Sequence, residues 1–120
     1  MRLEGNFYNI DKIETFENNS YVVKATLIPN HKIYEGHFPS QPVVPGVCTL
    51  TIIRECLGKI LSREVSFKTI KECKYLSALI PEDEVGIAIA VTITDEEKIM
   101  ANVERTDNQL KVLKLKAEIK

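Results

Sequence analysis

The sequence predicts an α+β fold in which one long helix, buried on most of its sides, is wrapped by an antiparallel β-sheet. Val85, Ile87, Ile89, Val91 and Ile93 alternate with Gly86, Ala88, Ala90, Thr92 and Thr94, the period-two pattern of a strand with one bulky face. After Pro45-Gly46, apolar residues fall instead at Val47, Leu50, Ile53, Leu57, Ile60 and Leu61, close to a helical period. Polar turn residues punctuate the rest at the spacing of an antiparallel meander. The order is two strands, one helix, then about four strands.

The first strand segment runs from Phe7 to Phe16, and the second, YVVKATLI from Tyr21 to Ile28, is rich in β-branched and aromatic residues. Glu17-Asn18-Asn19 between them makes a hairpin; Asn18-Asn19-Ser20 also spells a glycosylation sequon, read here as a polar turn. The helix covers about 16 residues from Gly46, and Cys48, Ile52 and Cys56 widen its apolar stripe so far that a sheet must enclose it. Arg54, Glu55, Lys59 and Ser62 are its expected solvated positions. Beyond Val85–Thr94, the turns Asp95-Glu96-Glu97 and Asp107-Asn108 bracket a weaker alternation from Lys98 to Arg105. A final strand follows, with Leu113, Leu115, Ala117 and Ile119 facing one way and Lys114, Lys116 and Glu118 the other.

With 120 residues, 44% of them hydrophobic and 28% charged, the chain suits a single domain spanning 1–120. A domain this small leaves much apolar surface unburied as a monomer, so a partner subunit is expected. The formal charge of −1 gives no field for nucleic acid or a membrane surface, and neither partner is predicted. The opening MRLEGNFYNI has no apolar run fit for a signal peptide and no stretch suits a membrane span, so the expected location is the cytoplasm. Cys48, Cys56 and Cys73 lack CxxC spacing and have no histidine at a metal-ligand interval, so they are read as reduced and mostly buried, with no metal.

Residues 35–47 read EGHFPSQPVVPGV, with prolines at 39, 42 and 45. A proline every third residue favours a stiff, extended path, and Pro39 biases Phe38 toward extended geometry. His37 is thereby held beside a rigid strap that ends where the helix begins. A helix start offers unpaired N–H groups and a partial positive charge, suited to a carbonyl oxygen that gains negative charge. A histidine near that point, with an ordinary pKa of about 6.5, is suited to removing a proton α to the same carbonyl. The pattern points to enolate chemistry on a thioester.

GHFPSQPVVPGV closely resembles the GHFPGxPVxPGV signature of the FabA/FabZ-type 3-hydroxyacyl-[acyl-carrier-protein] dehydratases. The stretch Phe67 to Val85, FKTIKECKYLSALIPEDEV, is similar to that family's strand leading into a Pro-Gly-Asp turn, with Glu82 in place of the glycine. The resemblance spans nearly the whole chain. It implies a hotdog fold, a curved antiparallel sheet around the helix, paired into a homodimer or a higher multiple of dimers with sites at the interface. It implies an acyl carrier protein or coenzyme A thioester as substrate, and no metal or organic cofactor. It implies that His37 takes the α proton of a 3-hydroxyacyl group, that a backbone amide matching Gly46 holds the thioester oxygen, that a carbonyl near Val43 orients the imidazole, and that Val47 and Phe38 also meet the substrate.

The family's general acid, a Glu or Asp fourteen positions beyond the histidine and supplied by the partner's helix, corresponds here to Thr51. A threonine hydroxyl is no carboxylic acid. Glu55, one turn further on, is the candidate substitute, reaching the site through Thr51 or a water; the plainer reading pairs it with Lys59 at i, i+4 on a wet face. His31 reads as an exposed turn residue. Lys68, Lys71, Lys74 and Arg63 are read as solvated surface rather than a carrier-protein footprint, since simple alternation puts Lys71 on the opposite face from Lys68 and Lys74. The leading function is dehydration of a 3-hydroxyacyl thioester to the trans-2-enoyl product. The alternatives are a non-catalytic acyl-binding subunit of a heteromeric dehydratase, which Thr51 motivates, and a hotdog thioesterase.

Overall fold

A computed structural model describes residues 2–29, 31, 43–81 and 85–120. Among the described residues, six strands and one long helix follow the predicted order: β1 (Tyr8–Phe16), β2 (Ser20–Leu27), α1 (Gly46–Leu61), β3 (Phe67–Tyr75), β4 (Gly86–Thr94), β5 (Lys98–Arg105) and β6 (Lys111–Ile119). The strands form one sheet in the order β1-β2-β4-β5-β6-β3, every neighbouring pair antiparallel. One helix packed on such a sheet is the hotdog arrangement expected from the sequence.

The alternation in the sequence sets which side chains meet the helix. Ile87, Ile89, Val91 and Ile93 of β4, Ile99, Ala101 and Val103 of β5, and Leu113, Leu115, Ala117 and Ile119 of β6 are all buried, and they share a core with Ile52, Ile53, Cys56 and Leu57 of α1. Burying a side chain of this size contributes about 1.5–3 kcal/mol, which is why the helix stays inside the sheet. The hairpin turns follow their residue types. Asn18 and Asn19 both take positive φ, 58° and 55°, the left-handed conformation that asparagine tolerates and that tight hairpin turns require. Asp95 and Glu96 do the same at 52° and 63°.

Strand β3 departs from simple alternation. It lies at the sheet edge, and its pairing with β6 shifts register twice, between Phe67 and Thr69 and between Ile70 and Glu72. Each irregularity resets which face a residue takes. The expectation that Lys71 faces away from Lys74 is therefore corrected: Lys71 reaches Glu118 at 2.9 Å and Lys74 reaches Glu72 at 3.2 Å, while Lys116 approaches the same Glu72. Those ammonium groups hold the Glu118 and Glu72 carboxyls below their ordinary range. The inward positions of this edge strand are poorly covered, leaving Ile70 and Tyr75 exposed.

Three further expectations change. Val47, assigned to the apolar stripe, is 61% exposed, because α1 turns this side of its first coil away from the sheet. His31 is half-buried rather than an exposed turn residue; its ring meets Phe7 edge to face, with centroids 5.3 Å apart. Glu55, expected on a wet face, has a side chain only 8% exposed. No helix among the described residues is long and apolar enough to cross a membrane.

Candidate functional site

The start of α1 is where the sequence places the chemistry. Pro45 precedes the first turn and no side chain caps it. The N–H groups of Cys48 and Thr49 bond to the Pro45 carbonyl, at 2.9 and 3.3 Å. Those of Gly46 and Val47 have no acceptor among the described residues. Two donors and the positive end of the helix dipole thus remain available.

A cavity of about 410 Å³ opens beside this turn. Val43, Val44, Pro45, Gly46 and Thr49 form one wall, and Tyr75, Ser77, Leu79 and Val112 belong to the other. One backbone bond ties the two walls, from the Val44 N–H to the Leu79 carbonyl, and a second, from the Leu76 N–H to the Val112 carbonyl, joins two segments of the far wall, both 2.8 Å long. The segment after β3 is therefore held against the helix start by backbone rather than by side-chain packing. Tyr75 closes the mouth: a Cβ on Gly46 would lie 2.7 Å from its ring carbons, so only glycine allows the phenol this close. Partial burial and the neighbouring Cys73 raise the Tyr75 phenol above its ordinary pKa. Sequence analysis missed Tyr75, whose place depends on the bulges in β3.

Gly46→Ala forces that ring outward. Because Tyr75 is half exposed and can swing, the expected cost is about 1 kcal/mol, and it should vanish in a Tyr75→Ala background; thermal melts of the two single variants, the double variant and the parent test this coupling.

On the other side of the first turns of α1 lies a separate, more polar groove of about 840 Å³, lined in part by Arg2, Val47, Thr51, Arg54, Glu55 and Lys59. The site residues named from the sequence thus divide between two surfaces: Val43 and Gly46 line the apolar cavity, Val47, Thr51 and Glu55 the polar groove. His37 and Phe38 lie outside the described residues. Thr51 is buried, and its hydroxyl donates to the Val47 carbonyl at 2.9 Å, a bond within its own helix.

Glu55 does not pair with Lys59, which reaches Glu4 at 3.7 Å instead. Its carboxylate accepts hydrogen bonds from the backbone N–H of Leu3 at 2.8 Å, the backbone N–H of Glu4 at 2.9 Å and the Tyr8 hydroxyl at 2.9 Å, with Arg54 at 3.8 Å. Burial and this carboxylate raise the Tyr8 phenol well above its usual range, and burial pushes the neighbouring Cys56 thiol up to about 12. The cluster is a clamp that holds the N-terminal turn onto the helix. All three cysteines are free thiols, Cys48 and Cys56 buried and Cys73 half-buried. Among the described residues no group of three or more His, Cys, Asp or Glu is placed to hold a metal ion.

Residues 12–113 match the family model of the ApeI-like proteins, described as ApeI dehydratase. The chain belongs to this family. Among curated relatives it is 32% identical over 107 residues to the 3-hydroxyacyl-[acyl-carrier-protein] dehydratase FabZ of Gluconobacter oxydans, covering 81% of this chain and 60% of that protein. It is also 32% identical over 94 residues to the FabZ of Clostridium botulinum, covering 72% and 65%. The chain thus spans less than two thirds of the length of these relatives. Among solved structures it is similar to the dehydratase heterocomplex ApeI:P of Xenorhabdus doucetiae, with a TM-score of 0.75 at 18% identity over 90% of this chain and 93% of that one. A putative thioesterase of Lactococcus lactis shares the fold with a TM-score of 0.64 at 12% identity, over 94% and 92%. The ApeI-like match agrees with the resemblance carried by residues 36–47, and the solved structures with the hotdog fold.

Proposed function

We propose that this ApeI-like chain binds 3-hydroxyacyl thioesters, carried on an acyl carrier protein or coenzyme A, and eliminates water from them to give the trans-2-enoyl product. The observation that carries the reading is the uncapped start of α1 opening on an apolar cavity, at the end of the motif that contains His37. His37 removes the α proton. The Gly46 N–H, with Val47 beside it, holds the thioester oxygen as negative charge builds there, and the apolar walls strengthen that hydrogen bond by excluding water. A backbone carbonyl near Val43, which lines the cavity, orients the imidazole, and Phe38 follows the histidine in sequence. No metal or organic cofactor is required for this chemistry.

The departing hydroxyl needs a proton. Thr51 supplies no acid, and the Glu55 carboxylate is engaged by three donors, so the chain's own helix offers no free carboxylate facing the groove among the described residues. This favours a second reading, in which the chain pairs with a homologous subunit that brings a Glu or Asp to the site while His37 serves from this side. The exposed edge of β3, with Ile70 and Tyr75 uncovered, suits pairing with another copy or such a homologue.

Turnover of a trans-2-enoyl thioester, followed by loss of the conjugated absorbance, tests both readings. Hydration by the purified chain alone supports the homomeric enzyme. Hydration that needs an added relative with Glu or Asp at the position of Thr51 supports the heteromeric one. Absence of turnover in both assays overturns the dehydratase reading, and thiol release without hydration replaces it with a thioesterase.

A further inference from the structure

The helix residue three places beyond Gly46 is Thr49. It is 3% exposed, lines the same cavity as Gly46, and has no hydrogen-bond partner for its hydroxyl among the described residues. Most buried threonines on helices satisfy the hydroxyl by donating to the carbonyl four residues back, as Thr51 does to Val47. Thr49 does not. A buried hydroxyl without a partner costs about 1–3 kcal/mol, so a polar group arriving in the cavity recovers that loss.

The spacing says which polar group fits. Positions 46 and 49 lie on one face of the helix, and three residues advance about 4.5 Å along its axis. An acyl thioester whose carbonyl oxygen sits on the Gly46 N–H therefore extends its chain past Thr49, and the oxygen it can offer there is the one on C3. The walls nearest it include the apolar Val44, Leu79 and Val112, and the polar side chains that share the cavity are Tyr75, at the mouth beside Gly46, and Ser77.

We propose that Thr49 is a specificity-determining residue that hydrogen-bonds the 3-hydroxyl of the acyl chain, selecting 3-hydroxyacyl over saturated acyl groups. The inference rests on the acyl-thioester reading above. Thr49 orients the hydroxyl and is not the acid that protonates it, since its own hydroxyl is far too weak an acid at neutral pH.

Calorimetric titration with two probes that cannot turn over, 3-hydroxyoctanoyl-pantetheine and octanoyl-pantetheine with the thioester sulfur replaced by NH, tests it. The parent protein should bind the hydroxylated probe about tenfold more tightly. Thr49→Val, close to isosteric, should erase the preference by weakening that probe alone, and Thr49→Ser, which keeps the hydroxyl, should restore it. If both probes bind and Thr49→Val leaves their ratio unchanged, the role of Thr49 is overturned while the acyl-binding reading stands. If neither probe binds the parent protein, the acyl-binding reading itself fails. Should Thr49→Val not fold, loss or retention of the preference in Thr49→Ala decides the question.

Discussion

Replacing Glu55 by alanine should lower the stability of the protein by about 3 kcal/mol, a fall in Tm on the order of 10 °C for a chain of this size. The carboxylate joins residues more than forty positions apart, because Leu3, Glu4 and Tyr8 all donate to it. Charge-assisted hydrogen bonds of this kind contribute more than neutral ones, and removing the acceptor leaves the buried Tyr8 hydroxyl without it. Leu3 and Phe7, almost fully buried, lose the anchor that holds them on the core. Glu55→Gln should fall between, since its amide retains one accepting oxygen but turns donors toward donors. Thermal denaturation of the three proteins measures this. If instead Tm hardly moves and enoyl hydration collapses, the carboxylate acts on substrate and the clamp is secondary.

Substituting His37 by alanine should reduce dehydration or hydration by about 10² to 10⁴, the contribution expected of a positioned general base, with little change in Tm. Prolines at 39, 42 and 45 favour a stiff, extended path whatever side chain stands at position 37, so the substitution is expected to remove chemistry and leave the local backbone. In a heteromeric assembly the same loss should appear when the altered chain is mixed with an unaltered partner. Steady-state rates beside melting curves check it. Undiminished turnover would remove His37 from the mechanism and with it the reading of the motif as a base.

The two substitutions separate the two surfaces at the start of α1. Glu55 lines the polar groove and Gly46 the apolar cavity, and the proposal assigns His37 to the Gly46 side. A stability loss with retained specific activity at position 55, and the reverse at position 37, would show that the carboxylate nearest the family's acid position has become structural here.

Local patterning by itself determined the order of elements, the extent of α1, the buried face of β4 and β6 and the hairpin turns, because a period of two or of 3.6 records which face of an element meets the core. The motif at residues 36–47 is the signal on which the proposed chemistry at the helix start rests, since the spacing of proline, glycine and histidine is legible along the chain. Tertiary structure alone decided the fate of Glu55, which reads as solvated within its helix and is buried by the N-terminal segment around Leu3 and Glu4. It decided the faces of Lys71 and Lys74 through bulges in β3, and the exposure of Val47. It also brought Tyr75 over Gly46 and left the Thr49 hydroxyl, in a cavity, without a partner among the described residues. Such contacts join residues far apart in sequence, and the periodicity of a single element carries no information about which distant segment will pack against it.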